Sequence, residues 1–172
     1  NWNGLTVNTI TPLTWTTTNG EVTITDCNEA ATGELVIPDT IEGNPVTSIG
    51  DQTFALCTSL RSITIGNGVT SIGKDAFRGC TSLTSITIGN GVTSIEIYAF
   101  GDCTSLTSVI FQGAAPTVGN NAFLNVADGA VALMTIEALS SFGESGDNWN
   151  GLTVNTITPL TWTTTNGEVT IT

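Results

Sequence analysis

Phenylalanine recurs at Phe54, Phe77, Phe100 and Phe123, each 23 residues after the last, and that interval constrains the fold more than any other property of the chain. Cys57, Cys80 and Cys103 keep the same step, with Val126 in the fourth place, and so do Leu60, Leu83 and Leu106. Ile63, Ile86 and Val109 follow it, as do Ile49, Ile72, Ile95 and Val118. A repeat this short cannot bury its apolar face alone, so registers held in phase predict like coils stacked into a solenoid. The Phe, Cys and Leu columns are its expected core.

One period divides into parts with distinct signals. "LTSITI" alternates apolar and polar, as a half-buried strand does. "GNG" supplies residues tolerant of positive φ, and so a corner, and "VTSI" is a second short extended piece. "GKDAFRGC" (73–80) reads as one helical turn, with Asp51 and Asp75 at the starts of such turns, where a carboxylate caps free amides. Charged residues make up only 10% of the chain, well below the globular average. Thr and Ile fill the gap, and their stiff β-branched side chains tilt the balance toward strand.

The pattern L-x-x-I-x-I-x-x-x-V-x-x-I-G-x-x-A-F-x-x-C-x-x-L resembles the BspA-like leucine-rich repeats of bacterial surface proteins, closely so from Glu34 to about Val126. "LTWTTTNGEVTITDC" resembles the β-hairpin that opens such domains, with Asn19-Gly20 as its turn. "FQGAAPTVGNNAFLNVADGAVALM" and "SSFGESGDNWNGLTV" resemble their closing segment, with a short helix expected in "TIEALSSFG". The resemblance implies a right-handed leucine-rich-repeat stack, mainly β with short helical turns, a hairpin at its N-terminal end and a strand-and-helix cap at the other. Two departures stand out. The Pro usual after the first strand is Gly66 and Gly89 here, and Gly73 becomes Glu96 one coil later, which puts the tight turn of that coil in doubt.

The stretch 1–25, "NWNGLTVNTITPLTWTTTNGEVTIT", recurs without substitution at 148–172, offset by 147 positions. Internal duplications drift, as the coils do, so an unchanged copy at both ends points to a window cut from a tandem array. Residues 1–13 then form the tail of a preceding unit, 14–160 one complete unit with coils at about 34–59, 60–82, 83–105 and 106–128, and 161–172 the start of the next. Trp2, Trp15, Trp149 and Trp162 are two residues seen twice, both beside this junction, where they would plug the stack or dock one unit on the next. Trp149 and Leu152 are expected to pack near Phe123 and Val131. A carbohydrate platform is the alternative use for these indoles.

The remaining chemistry is sparse. There is no His, and the cysteine register favours buried free thiols over metal ligands, which cluster at short spacings. Cys27 falls outside the ladder, in the opening cap. "GESGDN" and "DCNEA" offer oxygens to calcium, but neither has a calcium-loop spacing, and no cofactor is expected. No acid, base or nucleophile is isolated as a set, so no enzyme is expected. Three bases against fifteen acids give a net charge of −12, which repels nucleic acid. No apolar run is long enough to span a bilayer. Ser62 and Thr64 stack on Ser85 and Thr87, and Thr70 on Thr93, an array that could match a water lattice before "VIFQ" breaks it. The reading favoured is an extracellular structural protein whose partners are neighbouring identical units or chains. The rival is a cell-surface adhesin gripping a host protein or glycan. Uniform Thr, Ser and Gly on the strands favour the first.

Overall fold

The computed structural model describes residues 13–27, 31–157, 162–165 and 168–171. Strands β1 (Leu13–Thr18), β2 (Glu21–Cys27) and β3 (Thr32–Ile37) open the chain, followed by β4 (Thr40–Ile41) and β5 (Asn44–Ile49). The coils then alternate a longer and a shorter strand: β6 (Ser59–Ile65) and β7 (Ser71–Ile72), β8 (Ser85–Ile88) and β9 (Ser94–Ile95), β10 (Ser108–Phe111) and β11 (Thr117–Val118). The closing segment holds β12 (Val131–Met134), α1 (Leu139–Phe142), β13 (Asn148–Trp149) and β14 (Leu152–Thr156). Beyond it lie β15 (Trp162–Thr165) and β16 (Glu168–Ile171), a separate two-stranded sheet.

The strands collect into two seven-stranded sheets, one ordered β1-β2-β5-β7-β9-β11 with β4 paired to β5, the other β13-β14-β12-β10-β8-β6-β3. Coil-to-coil pairing is parallel and steps by one period, Ser62 on Ser85 on Ser108 and Ile63 on Ile86 on Val109. Because side chains alternate across a strand, that register sends Ile63 and Ile65 inward together, and an irregularity at Arg61 turns Leu60 to the same side; all three are buried. This is a mainly β solenoid with one four-residue helix among the described residues. The opening hairpin turns at Asn19 and Gly20, whose φ values of 53° and 82° fit the turn that matches strand twist. Asn150-Gly151 closes β13 onto β14 in the same way (φ 52° and 92°), a second hairpin in the closing cap.

The third side of each coil departs from expectation. The segment 73–80 is not a helical turn, and neither Asp51 nor Asp75 caps one. It is a run of three overlapping tight turns with left-handed residues, Asp75 (φ 54°) and Gly79 (φ 72°), four apart. Its alternate N–H groups point along the solenoid axis to the next coil instead of back along their own backbone. Gln52, Phe54 and Leu56 donate to the carbonyls of Lys74, Ala76 and Arg78 (2.9, 2.7 and 2.8 Å). Asp75, Phe77 and Gly79 donate to Ile97, Ala99 and Gly101 (3.0, 2.7 and 2.9 Å), and Tyr98, Phe100 and Asp102 to Asn120, Ala122 and Leu124 (3.3, 2.7 and 2.8 Å). The Asp51 carboxylate accepts from the Lys74 N–H one coil on (2.8 Å). The coil carrying Glu96 keeps its turn: the Ala99 N–H reaches the Glu96 carbonyl at 3.2 Å, as Ala76 reaches Gly73 at 3.3 Å.

Behind this turn strip the four Phe rings form one column. Centroids are 4.8, 5.2 and 5.3 Å apart and planes within 7° of parallel. Beside them Cys57, Cys80 and Cys103, and Leu60, Leu83 and Leu106, are all 0–1% exposed. The column ends at Trp149, whose ring sits 6.2 Å from Phe123, 5.2 Å from Phe111 and 4.8 Å from Phe142. Leu152 is fully buried beside it and Val131 pairs with Thr153 of β14.

Candidate functional site

Side-chain variety concentrates on the turn strip. The strand faces repeat Ser and Thr, whereas the strip presents Leu56, Lys74, Arg78, Ile97, Tyr98, Asp102 and Leu124 in successive coils. Leu56, Ile97 and Leu124 are among the few large apolar side chains left exposed (60, 39 and 41%). Between them runs a polar network. The Arg78 guanidinium donates to Asp102 (3.1 Å) and Asp75 (3.4 Å) and lies 5.0 Å over the Tyr98 ring. Lys74 approaches Asp75 at 4.0 Å. Asn125 donates to Asp102 (2.8 Å), and Asn121 to the Tyr98 hydroxyl (3.0 Å).

These contacts hold Asp102 below the usual carboxylate range, first through the Asn125 amide and then through Arg78, while Asp102 raises Arg78. A carboxylate with a depressed pKa stabilises the fold above its unfolded pKa and loses that contribution as pH falls through the folded value. Asp102→Asn is therefore expected to lower stability slightly near neutral pH, with the difference from the parent vanishing in strongly acidic buffer. Paired urea melts across that range check it; a difference independent of pH would assign the role of Asp102 to packing.

The thiols are structural. All four cysteines are buried. The Cys80 and Cys103 S–H groups donate to the carbonyls of Phe54 and Phe77 (both 3.1 Å). The neighbouring Cys103 thiol and burial both push Cys80 far up. Buried thiols lie out of a reagent's reach, so alkylation under native conditions is expected to leave all four unmodified, and denaturation to expose all four. Mass spectrometry reads both; native labelling of Cys80 would mean that the coil opens.

The other sequence candidates separate. Trp149 joins the aromatic cluster at the closing end, Trp15 is half-buried on the opening hairpin, and Trp162 lies in the backbone of β15. Trp2 lies outside the described residues, as does part of "DCNEA". In "GESGDN" the Asp147 carboxylate accepts from the Glu144 N–H (2.8 Å), and among the described residues no three His, Cys, Asp or Glu converge on one point. Thr70 and Thr93 stay exposed, and their hydroxyls donate to the carbonyls of Thr47 and Thr70 one coil back (3.0 and 3.2 Å). No described helix is long and apolar enough to cross a membrane.

A family model for the BspA type leucine rich repeat region matches residues 29–144 in six copies. No curated protein matches the chain. Among solved structures, a leucine-rich repeat protein from Bacteroides capillosus is similar at 28% identity and TM-score 0.60, over 73% of this chain and 96% of that one. The T. pallidum leucine rich repeat protein matches at 22% identity and TM-score 0.59, over 83% and 78% of the two chains. One from Bacteroides ovatus matches at 23% identity and TM-score 0.58, over 88% of this chain and 41% of that one. The last two likenesses speak to fold alone.

Proposed function

The chain belongs to the BspA-type leucine-rich-repeat family, and from that premise we propose that it is a non-enzymatic structural protein, a stretch of a tandem array of 147-residue units forming an extracellular fibre or a stalk on a bacterial surface. The observation that carries this reading is the recurrence of 1–25 at 148–172. Its backbone counterpart supports it. β15 and β16 pair Trp162 with Ile171 through Thr165 with Glu168, the register in which β1 and β2 pair Trp15 with Ile24 through Thr18 with Glu21. The second copy thus begins a hairpin like the first, where a next unit would open. The absence of His from the chain and the burial of the cysteines favour a role without catalysis, and none of it calls for a cofactor.

In this reading the partners are neighbouring units or chains. Each unit 14–160 carries a net charge of −11, and repulsion between units is screened beyond about 8 Å at physiological ionic strength. Electron microscopy of the native assembly is expected to show long uniform filaments whose axial repeat is better ordered in high salt than in low. Isolated flexible stalks, or a repeat indifferent to salt, would overturn the fibre. They would favour the second reading, an adhesin gripping a host protein or glycan. The varied turn strip is the observation on that side, since recognition needs side chains that differ from coil to coil.

A further inference from the structure

The turn ladder stops with its donors facing outward. In three successive coils the alternate N–H groups of the strip find carbonyls on the next coil at 2.7–3.3 Å. The fourth coil repeats the conformation, with Asn121 and Asn125 left-handed at φ 58° and 56° as Tyr98 and Asp102 are at 55° and 59°. Among the described residues, however, the N–H groups of Asn121, Phe123 and Asn125 meet no acceptor. Asn121 and Asn125 are exposed and Phe123 lines an open groove, so an incoming acceptor has access to this row of donors. Backbone that alternates into the left-handed region turns several N–H groups the same way and makes a concavity for electron-rich oxygen.

A groove of about 600 Å³ lies against this edge, lined by residues 118–129 on one side and the Asn150-Gly151 turn on the other. That volume is within the range of ordinary ligand sites. We propose that the groove is a binding site for a single peptide segment, some five residues long, whose alternate main-chain carbonyls accept from Asn121, Phe123 and Asn125. The chain itself supplies the template, because that is what fills the edge in each earlier coil. β12, β14 and β13 extend the adjoining sheet past this edge, so the occupant proposed is a single strand of chain lying alongside them. The lining carries one carboxylate, Asp128, and no base, with the Asn120 and Asn150 amides and Leu124 around it. A neutral segment therefore meets donors and little repulsion, as in the addition of a strand to an open sheet edge. The inference is independent of fibre formation, since it concerns one end of one unit.

The experiment uses the 15N-labelled chain and, as probe, the acetylated and amidated peptide GNNAFLN, the chain's own sequence 119–125. Without peptide, the amide protons of Asn121, Phe123 and Asn125 are expected to exchange at least about tenfold faster than those of Tyr98, Phe100 and Asp102, whose bonds are made. At millimolar peptide the three resonances should shift together and their exchange slow by a similar factor. Any of three results would overturn the proposal: protection of all three in the free chain, which would mean that its own backbone fills the groove; no shift with peptide; or shifts gathered on the edge of β1.

Discussion

Phe77→Ala is expected to remove roughly 3–5 kcal/mol of stability, a sum of lost transfer free energy and the cavity left behind. The ring is fully buried, with Phe54 4.8 Å away on one side and Phe100 5.2 Å away on the other, planes within 3°. Neither neighbour can slide into the space, because each is fixed to its own coil and the coil spacing is set by backbone hydrogen bonds. Against a typical domain stability of about 5–15 kcal/mol, the loss is a large share of the whole. Phe123→Ala provides the internal comparison. Its ring is stacked on one side only and meets Trp149 at 46° on the other, so that site has more room to relax and should lose less. Urea melts of the two variants decide it. A loss below about 1 kcal/mol for Phe77→Ala would mean that the stack repacks around a missing ring.

The second large effect is expected from one added methyl group. Gly89 lies directly on Gly66, and a Cβ there would stand 2.5 Å from the Gly66 carbonyl oxygen and 2.7 Å from its carbon. Both obstacles are backbone, so no rotamer change relieves them and the coils must separate locally. Gly89→Ala is therefore expected at the upper end of the roughly 1–3 kcal/mol that overpacking costs. Gly129→Ala makes the contrast, since nothing lies within 4 Å of its Cβ position and only its φ of 76° opposes the change. Denaturant midpoints compare them, and if Gly89→Ala proved the milder of the two, close backbone approach would not be what excludes a side chain at Gly89.

The sheets and core were legible because they rest on a strict period. A column of Phe or Leu at one interval admits few arrangements other than a stack, and Asn19-Gly20 names its own turn. The turn strip was not legible, for an identifiable reason. "KDAFRGC" has the composition of a helical turn, and what decides against helix is the demand of the neighbouring coil for hydrogen bonds. That demand is visible only as residues tolerant of positive φ spaced four apart: Asp75 and Gly79, Asn121 and Asn125. Gln52, Leu56 and Tyr98 adopt the same conformation without favouring it, so the signal is broken in half the coils. The Thr70 and Thr93 row misled similarly, since stacking was read correctly but the hydroxyls donate to the backbone one coil back. The donor edge at Asn121, Phe123 and Asn125 leaves no trace in sequence at all. It exists because the closing cap extends one sheet and not the strip.

Adjacent coils are joined across strands, corners and turn strip by bonds that lie along the solenoid axis. Tension applied end to end therefore loads the coils in series, each held by its own set of contacts. A coil that detaches under load releases 23 residues of slack, at most about 80 Å of contour, while the coils beyond it stay folded. Such a molecule would yield in steps instead of snapping, and would shorten again when slack returned. Its resistance to pulling would be set by the weakest single coil, not by the number of coils it contains.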